Sequence, residues 1–332
     1  MATPVGADEK KYQEKVRRAA RHLGCPSNES AIIRRCRELA DNQCNAIDPA
    51  MTPLDRLGAL ADHCSVHFEV AHTDAELDEI VERYARKGEL GFALRRPRFD
   101  EELLAAILRR NCPSEGDRTF VALVDARGRK EPMAFFSRAH EVAHPVLEPQ
   151  LAFDFRDETG KRDRWETLVD QVGSEMVFSG LPWELKVAAI FGVSEGPTVQ
   201  SFCELREEMA RDASLTAVVL AAGNQARRPL LVVWVGEQAS QRDPVPVLRV
   251  LQATPNSAAS SSGTYIHPKR RVPDSSPIAC SNRSGIPSAG FEDLGEWLSS
   301  DGSRLPSHRV WTAARPMGGN VFAIIDFGST GS

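Results

Sequence analysis

His140-Glu141-Val142-Ala143-His144 carries the pattern His-Glu-x-x-His. On a helix, positions i and i+4 share one face, so both imidazoles can reach a single metal ion. Neutral imidazole suits Zn2+ well. The glutamate between them projects near the metal without binding it. There it can take a proton from a water that attacks a peptide carbonyl. Such a pattern also arises by chance, so its surroundings decide the reading. Pro145 follows the second histidine and cannot donate to the Glu141 carbonyl. A kink just past the motif is expected, with the turn that holds both histidines intact.

A catalytic zinc needs a third protein ligand and an open fourth position. Downstream, Trp165-Glu166-Thr167-Leu168-Val169-Asp170 places Glu166 and Asp170 at i and i+4 of a helix. Glu166 is the expected ligand. Asp170 would accept an N–H from one histidine and fix its tautomer. Glu175, on another face of the same helix, is the alternative ligand. Cys112, in Arg109-Arg110-Asn111-Cys112-Pro113, precedes the motif. Its thiolate could act as an inhibitory fourth ligand that displaces the water, a cysteine switch. The plainer alternative is a half-buried loop thiol. One Zn2+ per chain is the cofactor expected.

Working upstream, the first hundred residues read as helices with short strands between them. Helices are expected over 10–23, over 31–40 with Ser30 as cap, and from Pro53 with Thr52 as cap. A strand over 66–70 precedes the capping box Thr73-Asp74-Ala75-Glu76, whose helix ends near Gly88. Asp100 caps a helix over 101–109. A strand over 120–124 then turns at Asp125–Gly128 into a hairpin partner over 133–136, with Ser137 as cap of the motif segment. The 120–124 strand is either an edge that binds extended substrate by β-augmentation, or a buried strand.

Downstream, helices are expected over 164–178, 183–191 and 198–211. After residue 213 the pattern changes to strands over 215–220, 230–235, 245–251, 309–314 and 321–327, with one helix over 291–298. Residues 254–290 read as a long Ser/Pro-rich loop. The fold class is α+β. A helical zincin-like metallopeptidase domain (1–193) leads through a connecting helix (194–212) to a mixed α/β domain (213–332).

The chain has 332 residues, which at roughly 150 per domain also suggests two domains. Hydrophobic residues at 42% and charged residues at 26% are ordinary for a globular protein and exclude disorder throughout or a collagen-like repeat. A net charge of −5 argues against a bulk nucleic-acid coater. Local patches are still candidates for nucleic acid: Lys269, Arg270 and Arg271 beside Tyr265 and His267, and the basic helix with Lys10, Lys11, Lys15, Arg17, Arg18 and Arg21. No apolar run reaches the ~18–20 residues that cross a bilayer, so no membrane partner is expected. The N-terminus becomes charged before any apolar stretch, unlike a signal peptide. The seven cysteines form no Cys-x-x-Cys pair and read as reduced thiols in the cytoplasm. Peptide hydrolysis also needs an oxyanion-stabilising group. The three tyrosines are Tyr12, Tyr84 and Tyr265, and the sequence assigns none of them to that role.

The order helical N-terminus, strand or hairpin, His-Glu-x-x-His, then a Glu-x-x-(Ala/Val)-(Asn/Asp) helix resembles the ImmA/IrrE family of metallopeptidases. The matching residues are His140 to His144 and Glu166 to Asp170, and Phe191-Gly192-Val193-Ser194 looks like a further family stretch. The resemblance covers roughly residues 30–210. Departures from the family pattern are Pro145, Asp170 where Asn is usual, and no Phe-Ala after it. The resemblance implies cleavage of a partner helix-turn-helix transcriptional repressor under DNA damage or phage stress. It also implies a GAF-like sensor after residue 213. The layout is similar to that of CapP proteins, which partner a CapH-type repressor beside anti-phage operons, and this implies single-stranded DNA as the activator. Two other readings use the same residues: an unregulated broad-specificity peptidase, and a non-proteolytic zinc-containing sensor.

Overall fold

The computed structural model describes residues 7–101, 103–111, 113–114, 116–150, 163–193, 196–239, 244–263, 265–299 and 302–328. The chain is α+β and divides into two compact units. The first contains Met1–Trp183 and Met209–Ser214; the second contains Glu184–Glu208 and Leu215–Ser332. The division therefore falls after Trp183 rather than at residues 193 and 213, and most of the expected connecting helix clusters with the second unit.

The first unit begins with α1 (Ala7–Leu23), α2 (Glu29–Asn45) and α3 (Pro53–His63). Asn28, not Ser30, caps α2 by accepting from the Ala31 amide. Thr52 caps α3 in a reciprocal box with Asp55, and Pro53 occupies the first turn, where its missing N–H costs nothing. Then follow β1 (Val66–Ala71), α4 (Asp74–Arg86) and α5 (Gly91–Phe99), with Thr73 capping α4. β2 (Ala105–Arg109) occupies residues expected to be a helix capped by Asp100. Leu103 to Leu108 is a short apolar run, and periodicity alone does not separate a buried strand from a buried helix over that length.

β3 (Phe120–Asp125) is the middle strand of a three-stranded sheet in the order β1-β3-β2. It runs parallel to β1 and antiparallel to β2. Every β3 residue is buried, as a strand covered on both faces requires. One face packs Val121, Leu123, Ala106 and Leu108 against Leu77, Ile80 and Tyr84 of α4 and Phe92 and Phe99 of α5. The other face packs Val124 and Ala105 near Ala134, the first residue of α6 (Ala134–Leu147). β3 is thus the buried alternative, and β2 is the edge. The expected hairpin partner over 133–136 does not form. A 3-10 turn (Gly128–Met133) leads directly into α6, which leaves Ser137 inside the helix. Lys130 anchors that turn, its ammonium held by Asp125 and by the carbonyls of Phe99 and Leu103.

α7 (Arg164–Val177) follows with Asp163 as its cap. α8 (Leu181–Phe191) crosses the division between the units.

The second unit contains α9 (Val199–Met209, to Glu208) and α10 (Leu215–Gln225), the latter over residues expected to begin with a strand. Its five-stranded sheet is antiparallel throughout, in the order β5-β4-β8-β7-β6. The strands are β4 (Leu230–Gln238), β5 (Val247–Pro255), β6 (Ser288–Asp293), β7 (Arg309–Met317) and β8 (Asn320–Asp326). Gly318 and Gly319, both at positive φ, turn β7 into β8, as a two-residue hairpin turn demands. The expected long loop 254–290 instead carries α11 (Ser257–Ser261), α12 (Pro277–Ser284) and the start of β6. The expected helix 291–298 is the end of β6 followed by a 3-10 turn. Among the described residues, no helix is long and apolar enough to cross a membrane.

Candidate metal centre

α6 is buried along almost its whole length, because it lies between the sheet and α7. His140, Glu141 and His144 are all buried. The helix continues through Pro145 to Leu147, and the Glu148 amide donates to the His144 carbonyl at 2.8 Å. The proline therefore costs one hydrogen bond beyond the motif without ending the helix there.

α7 brings the carboxylates. Glu166, Asp170 and Gly173 stand at i, i+4 and i+7, one stripe of the helix. At Gly173 the two helices touch backbone to backbone: a Cβ there would sit 2.6 Å from the Ala139 carbonyl oxygen. Only glycine permits that approach, and it sets the carboxylates of the same stripe against His140.

The donor atoms converge. His140 Nε2 and His144 Nε2 are 3.2 Å apart. Glu166 Oε2 lies 3.1 Å from His140 Nε2 and 3.9 Å from His144 Nε2. A four-coordinate zinc with ligands at about 2.0–2.2 Å keeps its donors roughly 3.3–3.6 Å apart, so two imidazoles and a carboxylate fit a metal ion. This is the group among the described residues that could hold one. His140 Nδ1–H donates to Asp170 Oδ1 at 2.7 Å, which directs the other ring nitrogen at the centre. Burial works against a charged His140. Hydrogen bonds to Asp170 and Glu166, with the charges of Asp170 and Glu141, outweigh it and hold its pKa up at about 10 in the metal-free protein.

These residues line one cavity. Glu141 is on its wall, together with Arg95, Ser137, Phe136 and the segment Leu103–Ile107. Arg95 and the β2 wall were not expected from the sequence. Residues 101–109 read as a helix in the sequence and 105–109 form β2 instead, and nothing in the spacing of Arg95 distinguishes it from a surface arginine.

The other candidates fall elsewhere. Glu175 lies 3.5 Å from Arg37 and does not line the cavity, and burial raises its pKa. Cys112 lies outside the described residues. Tyr84 donates to Glu69 and Tyr12 to Glu29, and neither lines the cavity. In the second unit the basic stretch is divided. Lys269 is exposed, but Arg270 is buried and turns its guanidinium toward the carbonyls of Trp297 and Ser303. Arg271 is half-buried in backbone bridges to Arg249 and Leu298, so the three do not form one cationic surface. On α1, Lys15 is buried over the Trp165 ring and Arg18 pairs with Glu148, while Lys10, Lys11, Arg17 and Arg21 are exposed.

No protein-family model matches this chain, and no curated protein matches it.

Proposed function

We propose that the chain is a zinc-dependent endopeptidase. The observation that carries this reading is the convergence of His140, His144 and Glu166 with Glu141 on the wall of the same cavity. A zinc ion held by the three donors would polarise a carbonyl and make a water nucleophilic at neutral pH. Glu141 takes a proton from the attacking water and returns it to the leaving amine nitrogen. Asp170 keeps the His140 ring in the tautomer that offers Nε2.

β2 supports a peptide as substrate. Its pairing with β3 uses the backbone of alternate residues: Leu104 O accepts from Asp125, and Arg110 N donates to Thr119. By the alternation of an antiparallel ladder, Ala105, Ile107 and Arg109 turn their N–H and C=O groups to the outer edge. No strand of the described residues pairs with that edge. An extended peptide can add there as a further strand, beside the donors.

In this proposal the first unit is the zincin-like domain of an ImmA/IrrE-type peptidase, and the second is a GAF-like sensor. The substrate is a partner helix-turn-helix repressor cut in response to DNA damage or phage stress in the cytoplasm, with single-stranded DNA as activator. The test is to mix the zinc-loaded protein with the regulator encoded beside its gene. A single cut that Glu141→Gln abolishes is the expected result. Many cuts would point to a broad peptidase. No cut under any inducer, including single-stranded DNA, would favour a sensor without proteolysis.

A further inference from the structure

Arg95 is the one arginine or lysine among the described residues that line the metal cavity. It is 5% exposed, on α5, whose Phe92 and Phe99 are fully buried in the core under the sheet. A guanidinium held this deeply remains charged and brings a fixed positive charge to the cavity wall. Three carboxylates share the cavity, and each has a place in the reading above. Glu166 is a donor, Asp170 orients His140, and Glu141 carries the proton. What that set lacks is a protein side chain that would share with the zinc ion the negative charge developing on a carbonyl oxygen.

The tyrosines do not supply it: Tyr12 and Tyr84 are engaged with Glu29 and Glu69, and none of Tyr12, Tyr84 and Tyr265 lines the cavity. Ser137 lines the cavity too and offers one neutral O–H, whereas Arg95 offers several N–H donors together with a positive charge. We propose that Arg95 is a catalytic residue that donates N–H to the carbonyl oxygen of the scissile amide. This rests on the hydrolase reading of the same site. As the water oxygen bonds to the carbonyl carbon, one water proton passes to Glu141 and the π pair moves onto the carbonyl oxygen. Arg95 stabilises the resulting oxyanion by charge and hydrogen bonding. The pair then re-forms the C=O bond, the C–N bond breaks, and the proton leaves Glu141 for the amine nitrogen.

The test uses the full chain loaded with zinc and two ligands followed by calorimetry. A peptide phosphonate mimics the tetrahedral oxyanion; acetohydroxamate needs only the metal. Arg95→Met and Arg95→Gln should keep zinc and acetohydroxamate binding but weaken phosphonate binding by about 100-fold, the scale of losing an oxyanion donor. Arg95→Lys should fall between them and wild type, and it preserves the test if both neutral variants fail to fold. Free guanidinium should restore part of the phosphonate affinity to Arg95→Met. Equal phosphonate affinity in a folded, zinc-loaded neutral variant overturns the proposal, as does a wild type that binds acetohydroxamate but not the phosphonate. A wild type that takes up no zinc defeats the hydrolase reading itself.

Discussion

Gly173 and Ala139 bring α7 and α6 into backbone contact, with the Ala139 carbonyl oxygen 2.6 Å from where a Cβ on Gly173 would lie. Because Gly173 shares a stripe with Glu166 and Asp170, the helix crossing and the metal centre are one feature. Gly173→Ala should force the helices apart by enough to misplace both carboxylates. Overpacking of this kind costs about 1–3 kcal/mol. Zinc affinity should fall with stability, read by chelator competition and a thermal melt of the metal-free protein. A variant with unchanged zinc affinity would separate the crossing from the site.

Asp170 acts on the metal through His140. Asp170→Asn removes the charge that orients the ring and should weaken zinc binding by about 10- to 100-fold, the usual effect of losing such a partner. The ligand substitutions His140→Ala, His144→Ala and Glu166→Ala should lose most of the metal. Glu141→Gln should keep it. Metal analysis of the purified variants checks the ordering, and full retention in Glu166→Ala would exclude Glu166 as a ligand.

The raised pKa of His140 makes metal uptake pH-dependent. In the metal-free protein His140 is protonated below about 10, whereas a ligating imidazole must give up that proton. At pH 7 zinc binding should release about one proton from this residue, and apparent affinity should rise with pH until about 10. The folding contribution runs the other way. It is fully present in the metal-free protein below the ordinary value of 6.5 and is lost as pH rises through about 10. Calorimetry in buffers of different ionisation enthalpy reads the proton count, and His140→Gln should remove it.

Two i, i+4 pairs, His140 with His144 and Glu166 with Asp170, make the metal centre legible in the sequence, because helical spacing alone places each pair on one face. The rest of the cavity is not legible in that way. β2 reads as helix and α10 as strand because both are short apolar runs whose state is decided by what packs around them. Gly173 and Arg95 have roles that depend on which helix lies opposite, and no local pattern records that. The caps at Thr52 and Thr73 were readable because capping is a contact within one turn.

Arg56 of α3 ties that helix to α2 and to the end of α7. It is 1% exposed and donates to Asp41 of α2, Ser179, and the Met176 carbonyl of α7. Gly180, at φ +94°, passes so close that a Cβ would lie 2.9 Å from the guanidinium. Arg56→Met should destabilise the protein by about 1–3 kcal/mol, because Asp41 and the Met176 carbonyl lose their charged donor and keep the Ser179 hydroxyl, with Arg37 still beside Asp41. Urea unfolding checks this, and a loss under 1 kcal/mol would mean that water replaces the guanidinium.

The edge of β2 offers a backbone test of peptide docking. Ala105 turns its N–H to the open edge, whereas Ala106 is in register to bond with Leu123 of β3. Proline removes an N–H and is tolerated on an edge strand where that N–H faces outward. Ala105→Pro should therefore fold and keep its zinc, since none of the donors is on β2. It removes one hydrogen bond that an added strand would use, worth about 0.5–1.5 kcal/mol, so kcat/KM on a peptide should fall by roughly 2- to 13-fold. Ala106→Pro breaks the ladder inside the sheet and should lower the melting temperature sharply. If the two variants melt alike, the alternation assigned to β2 is wrong. If Ala105→Pro folds, holds zinc and cleaves as well as wild type, peptide does not dock along this edge, and the substrate reaches the metal centre by another path.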